Sequence, residues 1–283
     1  MTELPVRVYT PDSSLASPRA MARDMIRDFL AGRDLAWQLA VRDITAGYRQ
    51  AFLGMLWAVI MPLANAVIWI FLRGTGVISV SETALPYWLY AFSGTILWAI
   101  LMDAMNAPLQ QTNSARATLA KLDFPREALI ISGIYQTLFH GSIRIALLIG
   151  ALGLLGLNPG WGILLFPLGV LSLILVGTAV GLLLTPIGML YTDVTRGIAL
   201  IMQFAMFLTP VVFPMPKEGW VATVFAINPL TPLILTARDW LTGLSPEFLI
   251  YFLIVNAIAV ALLLVVWVAY RLAMPILIER MSA

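Results

Sequence analysis

The chain has 283 residues, of which 60% are hydrophobic and 11% charged, with a net charge of +2. Soluble domains carry roughly 25% charged residues, so a soluble reading is excluded. With no cysteine and a single histidine, His140, the chain has the ligands for neither a disulfide framework nor a thiolate or polyhistidine metal site, and no metal is expected.

The opening stretch, MTELPVRVYTPDSS, lacks the basic patch, apolar run and small-residue cleavage site of a signal peptide. The first span is therefore expected to serve as the insertion signal. Ser17-Pro18 reads as an N-cap followed by the proline favoured at the first helical position. Met21, Met25, Ile26, Phe29 and Leu30 then recur at helical spacing until Gly32. A second helix carries Trp37, Val41, Ile44 and Tyr48 on one face, with Arg33, Arg42, Asp43 and Arg49 on the others. Its apolar stripe is too narrow to span, and the flanking arginines suit an amphipathic interface helix lying in the membrane surface. The same arginines could equally hold topology and bind anionic lipid.

A crossing needs roughly 20 mostly apolar residues. Six stretches are read as spans: Phe52–Leu72, Tyr87–Ala107, Ala128–Leu157, Trp161–Tyr191, Ile198–Phe213 and Phe248–Tyr270. The fifth is short and ends in Thr209-Pro210. Between spans 5 and 6 the segment from Lys217 to Phe248 is too apolar for an ordinary loop, yet Asn228-Pro229 and Pro232 interrupt it. Two short re-entrant helices fit, an element tolerated only where protein covers it or it lines a wet cavity.

The fold class read from this pattern is all-α integral membrane. Residues 1–50 form an N-terminal segment with amphipathic helices, 51–270 a six-span domain and 271–283 a tail. Thirteen basic residues fall on the side of the termini and three (Arg73, Lys217, Arg238) on the other, which places both termini in the cytoplasm. The only lysines, Lys121 and Lys217, do not follow glycine. A phosphate-cradling Gly-Lys-Ser/Thr loop is therefore absent, and any ATP must be bound by another chain.

Ionisable residues inside spans are costly and usually functional. Here they are Asp103, His140 and Arg144. His140 and Arg144, four apart, share a helix face as a buried polar pair. They are either satisfied by neighbouring hydroxyls and carbonyls or placed to touch substrate. Asp103 sits nearer the cytoplasmic end, so at about 1.5 Å per residue its height differs from that of Arg144 by roughly 10 Å, and no direct salt bridge is expected. No paired carboxylates, Ser/His/Asp set or metal cluster at catalytic spacing is present, and no catalytic residue is assigned. Trp57, Trp69, Trp98, Phe204 and Phe207 lie deep in spans and are candidate stacking surfaces for a sugar polymer, although packing or lipid contact is the commoner fate of a single ring.

Four stretches, in order, resemble one family: RDITAGYRQAFLGMLWAVIMPL (Arg42–Leu63), KLDFPREAL (Lys121–Leu129), LLTPIGMLYTDVTRGIALIMQFAMFLTPVVFP (Leu183–Pro214) and INPLTPLILTARDWLTG (Ile227–Gly243). Together they resemble the membrane subunit of ABC-2 type exporters of bacterial surface polysaccharides, the permeases for O-antigen, capsule and teichoic acid. The resemblance implies a homodimer in the bacterial inner membrane that moves a lipid-linked polysaccharide. It also implies two separate ATPase subunits carrying ATP and Mg; the chain itself would hold no cofactor and bind no nucleic acid. By position, the ATPase would dock on the coupling segment between spans 2 and 3, using Arg116, Lys121, Asp123, Phe124, Pro125, Arg126 and Glu127. It would also dock on the interface helix around Arg33, Trp37, Arg42 and Arg49. Spans 1 and 5 of opposing subunits would line the path, and the short helices would close its outer end.

Within LAKLDFPREALI, proline suits the first turn of a helix but not its interior. A short helix ending near Asp123, a bend at Phe124-Pro125 and a new span from Arg126 are expected, with Phe124 as an apolar plug for the ATPase. Two other classes of function were weighed: an ion-coupled carrier of a smaller lipid or drug, and an integral-membrane glycosyl- or acyltransferase. The first lacks intramembrane carboxylates at matching depth. The second has only His140 as a candidate acid or base.

Overall fold

The computed structural model describes residues 18–49, 52–77, 83, 85–119, 124–157, 159–216 and 218–282. Lys121, Asp123 and Lys217, together with the opening seventeen residues, lie outside them. The described residues form helices α1 (Pro18–Ala31), α2 (Arg33–Arg49), α3 (Trp57–Gly74), α4 (Tyr87–Ser114), α5 (Arg116–Leu119), α6 (Glu127–Leu154), α7 (Gly162–Leu190), α8 (Asp193–Phe207), α9 (Trp220–Ile227), α10 (Leu230–Thr242) and α11 (Leu249–Ser282). A 3₁₀ turn, Gly54–Leu56, leads into α3.

Five helical stretches are long and apolar enough to cross a membrane: Gly54–Gly74, Tyr87–Ser114, Glu127–Leu154, Gly162–Leu190 and Leu249–Leu277. The expected fifth span, Ile198–Phe213, is not among these five. Its helix is α8, of 15 residues, about 22 Å long and short of the roughly 30 Å of hydrocarbon. Thr209 turns its hydroxyl back to the Ala205 carbonyl at 2.7 Å, and Pro210 offers no N–H and disfavours helical geometry at the residue before it, so the helix stops at Phe207. The two short helices predicted after it are present. α9 and α10 meet at 80° across Asn228-Pro229, and the Asn228 amide donates to the Leu208 carbonyl and the Thr209 hydroxyl, both at 2.8 Å, while its oxygen accepts Leu230 N–H at 2.9 Å. One side chain thus ties the broken end of α8 to the start of α10.

The packing centre is α4, whose sides are covered by α3, α6, α7 and α10. Small residues allow the approach. A methyl group added to Gly181 of α7 would stand 2.1 Å from the Met105 carbonyl oxygen of α4, closer than any real contact, so glycine is required for these backbones to meet. Polar ties near the C-terminal end of α4 are short: Ser132 donates to Gln111 at 3.2 Å, and the Thr112 and Tyr270 hydroxyls lie 3.3 Å apart. By contrast, only 6% of the apolar window of α3 is buried.

The amphipathic segment α2 does not lie flat across the bundle. Ala36 packs with Ala128 and Ile131, the Trp37 ring meets Tyr135 at 5.7 Å, Gln136 donates to Asp43 at 3.3 Å, and Tyr48 meets His140 at 6.1 Å. Both sequences climb together, so α2 runs beside α6 in the same direction for about 18 Å. Alanines at the start of this seam allow close packing, and that packing sets the direction of α2.

Candidate functional site

The predicted polar pair is part of a larger cluster. Arg144 Nη1 donates to Asp103 Oδ2 at 2.5 Å, so the expectation that no direct salt bridge joins them is corrected. Gly141 faces Ile100 and Gly133 faces Ala107 across α6 and α4, which offsets the Asp103 and Arg144 backbones by six residues, about 9 Å. In antiparallel helices every side chain leans toward its own N-terminus. Asp103 therefore leans toward the start of α4 and Arg144 toward the start of α6, and the long arginine closes the gap. His140 stands one turn below Arg144 with its ring edge against Tyr48 and Phe139. Tyr48 of α2 closes the cluster from the side: burial pushes its phenol pKa up, and the charge of Arg144 opposes that. Among the described residues no group of three His, Asp or Glu stands ready to hold a metal.

The aromatic candidates divide. Trp69 donates to Asn65 at 3.0 Å, and its ring meets Phe207 at 6.4 Å and Phe213 at 5.9 Å. The structure thus brings two predicted path residues together with one that was not predicted. Phe204 is 64% exposed, beside Leu200 and Ile201 on α8, and Trp57 is exposed on α3 with Met61, Val67 and Phe71. Trp98, at 7% exposure, sits in the core, because its helix is packed by α3, α6, α7 and α10.

A residue that sequence reading counted only as a loop charge dominates the other end of the bundle. Arg238 of α10 is 2% exposed. Its guanidinium donates to the Pro210 carbonyl at 2.9 Å, the Val211 carbonyl at 2.8 Å and the Ser93 hydroxyl at 3.2 Å, and it lies 3.8 Å from the centre of the Tyr90 ring. Tyr90 in turn donates to the Pro210 carbonyl at 3.1 Å. The acceptors are the carbonyls freed just after α8, at the negative end of its dipole. Gly94 makes room, since a methyl there would fall 2.0 Å from the Val211 oxygen. A lone arginine within the apolar run PLTPLILTARDW was the signal, because such a charge must find partners.

At the charged knot between α4 and α6, α5 is a single turn with Arg116 exposed. Pro125 stands just ahead of α6, its carbonyl accepting Ala128 N–H at 3.1 Å, so the bend falls where expected. Phe124 is half-buried and packs on the cluster that includes Leu109, Leu129 and Met274. Pro125 and Arg126 are half-buried, while Glu127 is buried. Glu127 therefore faces the protein: Arg271 Nη1 donates to it at 2.7 Å, and Arg271 Nη2 donates to Asp28 of α1 at 2.8 Å. Arg33 and Arg49 are exposed, and Arg42 pairs with its neighbour Asp43 at 2.7 Å.

Comparison with known proteins places this architecture. Residues 34–239 match the ABC-2 type transporter family. An O-antigen export system permease protein RfbA of Myxococcus xanthus is 25% identical over 214 residues, covering 74% of this chain and 81% of that protein. A Klebsiella pneumoniae protein of the same name is 24% identical over 215 residues, covering 73% and 79%. The chain belongs to the ABC-2 type transporter family and is a multi-pass membrane protein.

Proposed function

We propose that this chain is the permease subunit of an ATP-driven exporter that moves a lipid-linked polysaccharide, O-antigen or a related surface glycan, across the bacterial inner membrane. The observation that carries the reading is the family match over residues 34–239 together with relatives named as O-antigen export permeases. Two copies of the chain form the path. The bare apolar surface of α3 and the exposed face of α8 support this, because α3 gains no packing partner on most of its circumference within one chain. The ring group Trp69, Phe207 and Phe213 offers stacking surfaces beside that face. α9 and α10 re-enter from the outer side, where Arg238 and Asn228 hold the break after α8. Both termini are cytoplasmic.

Two copies of an ATPase, carrying ATP and Mg, dock on the knot. Of the residues assigned to that surface, Arg116, Lys121, Asp123 and Arg126 set the register around the Phe124–Pro125 bend. Glu127 serves from behind by anchoring the first turn of α6, and α2 with Arg33, Trp37, Arg42 and Arg49 forms the flanking surface. An ion-coupled carrier is disfavoured because the one carboxylate deep in a span, Asp103, is engaged by Arg144. Affinity purification tests the docking: the intact chain should retain an ATPase subunit in detergent, and replacing Lys121–Phe124 with a Gly/Ser linker should release it while the chain still inserts. Retention by the linker variant would place the docking surface elsewhere.

A further inference from the structure

α1 lies ahead of the matched family region, and the structure fixes which way it faces. Its last turn is seated between α6 and α11. Asp28 accepts from Arg271 at 2.8 Å, the Phe29 ring meets Trp267 edge-on at 5.6 Å, Met25 is buried, and Gly32 abuts Ala128. Seating this face turns the opposite one outward. Arg19, Arg23, Ile26, Arg27 and Leu30 are exposed there, spaced by three and four residues and so aligned on one stripe.

The depth of this stripe follows from the same contacts. The charges of Asp28, Glu127 and Arg271 come from three helices and meet at one level, beyond which the apolar part of α11 runs into the bundle. Charges gather where a bilayer gives way to headgroups. Of the two acids of α1, Asp28 bonds Arg271 and also lies 3.7 Å from Arg27, and Asp24 pairs with Arg27 at 3.0 Å, so the excess positive charge of the face rests on Arg19 and Arg23. The outward face therefore combines excess positive charge with two large apolar side chains at headgroup level. That composition fits an anionic lipid surface, with phosphates between the arginines and Ile26 and Leu30 reaching the acyl boundary.

We infer that the outward face of α1 is a docking surface for anionic phospholipid of the cytoplasmic leaflet, with the Arg271 fork holding the helix at that depth. The inference uses the cytoplasmic placement of this end and is independent of the cargo and of the ATPase.

The chain contains no cysteine, so a single Leu30→Cys substitution carries an environment-sensitive fluorophore without background. The labelled full chain is placed in nanodiscs of phosphatidylcholine with increasing phosphatidylglycerol. The emission should shift to the blue as the anionic lipid fraction rises, without any ATPase, and high salt should reverse the shift. Each of Arg19→Gln, Arg23→Gln and Arg27→Gln should weaken the lipid response about fivefold, and the triple variant should abolish it. All these positions are exposed, so the variants should fold, which the unchanged unfolding temperature in detergent would verify. A shift of equal size in phosphatidylcholine alone would overturn the inference. So would a shift that appears only on adding the ATPase, which would give this face to a protein partner.

Discussion

Two arginines hold the two ends of this bundle by opposite physical means. Arg238 is sealed from solvent and held by carbonyls, a hydroxyl and an aromatic ring. Arg271, a quarter exposed, is held by two carboxylates from two other helices. A guanidinium fixed by backbone dipoles has no second partner to exchange for and behaves as a rigid clamp. A fork between carboxylates on separate helices, in contact with water, can let go of one while keeping the other. The structure thus joins a stiff end at Arg238 to a re-pairable end at Arg271, an arrangement that suits the proposed exporter, driven from the Arg271 end.

The largest expected effect tests the stiff end. Arg238→Met leaves the Val211 carbonyl without its donor and the Pro210 carbonyl with Tyr90 alone, in a dry site, and should cost about 3 kcal/mol, read as a sharp fall in the thermal unfolding midpoint in detergent. Arg238→Lys keeps the charge but loses the planar fork, and should fall between the two. Equal stability of Arg238→Met and the parent would remove the clamp. At the cytoplasmic end, Phe124→Ala should cost about 2 kcal/mol, because the ring is only half-buried against its cluster. The same variant should lose ATPase retention, whereas Phe124→Leu keeps most of the packing and separates the two consequences.

A smaller effect belongs to the ion pair between them in depth. Asp103→Asn leaves Arg144 without its counter-charge. The side chains are 32% and 20% exposed, so solvent screening limits the loss to about 1–2 kcal/mol. A double-mutant cycle with Arg144→Gln should show coupling of the same order, and additive losses would mean that the pair does not bind in solution. The smallest change is expected for Arg271→Lys, which keeps a cation beside buried Glu127 but loses the planar fork that also reaches Asp28, about 1 kcal/mol in stability, with a larger loss of ATP-driven activity than of folded protein. If stability and activity fell in proportion, the fork would be only a structural tie.

Much of the fold was legible in the sequence because hydrophobic length and proline placement are local signals. The helices beginning at Tyr87, Glu127, Gly162 and Leu249 start within about a residue of expectation, and the Phe124-Pro125 bend and the Asn228-Pro229 break both occur. What failed depended on three-dimensional neighbours. The fifth stretch was read as Ile198–Phe213 where α8 runs Asp193–Phe207, because apolar residues continue past the point where Thr209-Pro210 ends the helix. The Asp103–Arg144 pair was missed because residue heights ignore the direction in which side chains lean. Trp98 was a candidate from its depth in a span alone, which does not show how much of its helix other helices pack against. Arg238 and Arg271 were entered as topology charges, and only the structure shows what they hold.

Reconstitution of the chain with its ATPase subunit in vesicles loaded with lipid-linked polysaccharide on the outer, cytoplasm-equivalent face tests the central claim most directly. The account predicts that added ATP and Mg move the glycan into the lumen, that the Lys121–Phe124 linker variant does not, and that collapsing any proton gradient has no effect. Movement that proceeds without ATP and stops when the proton gradient is collapsed would contradict it.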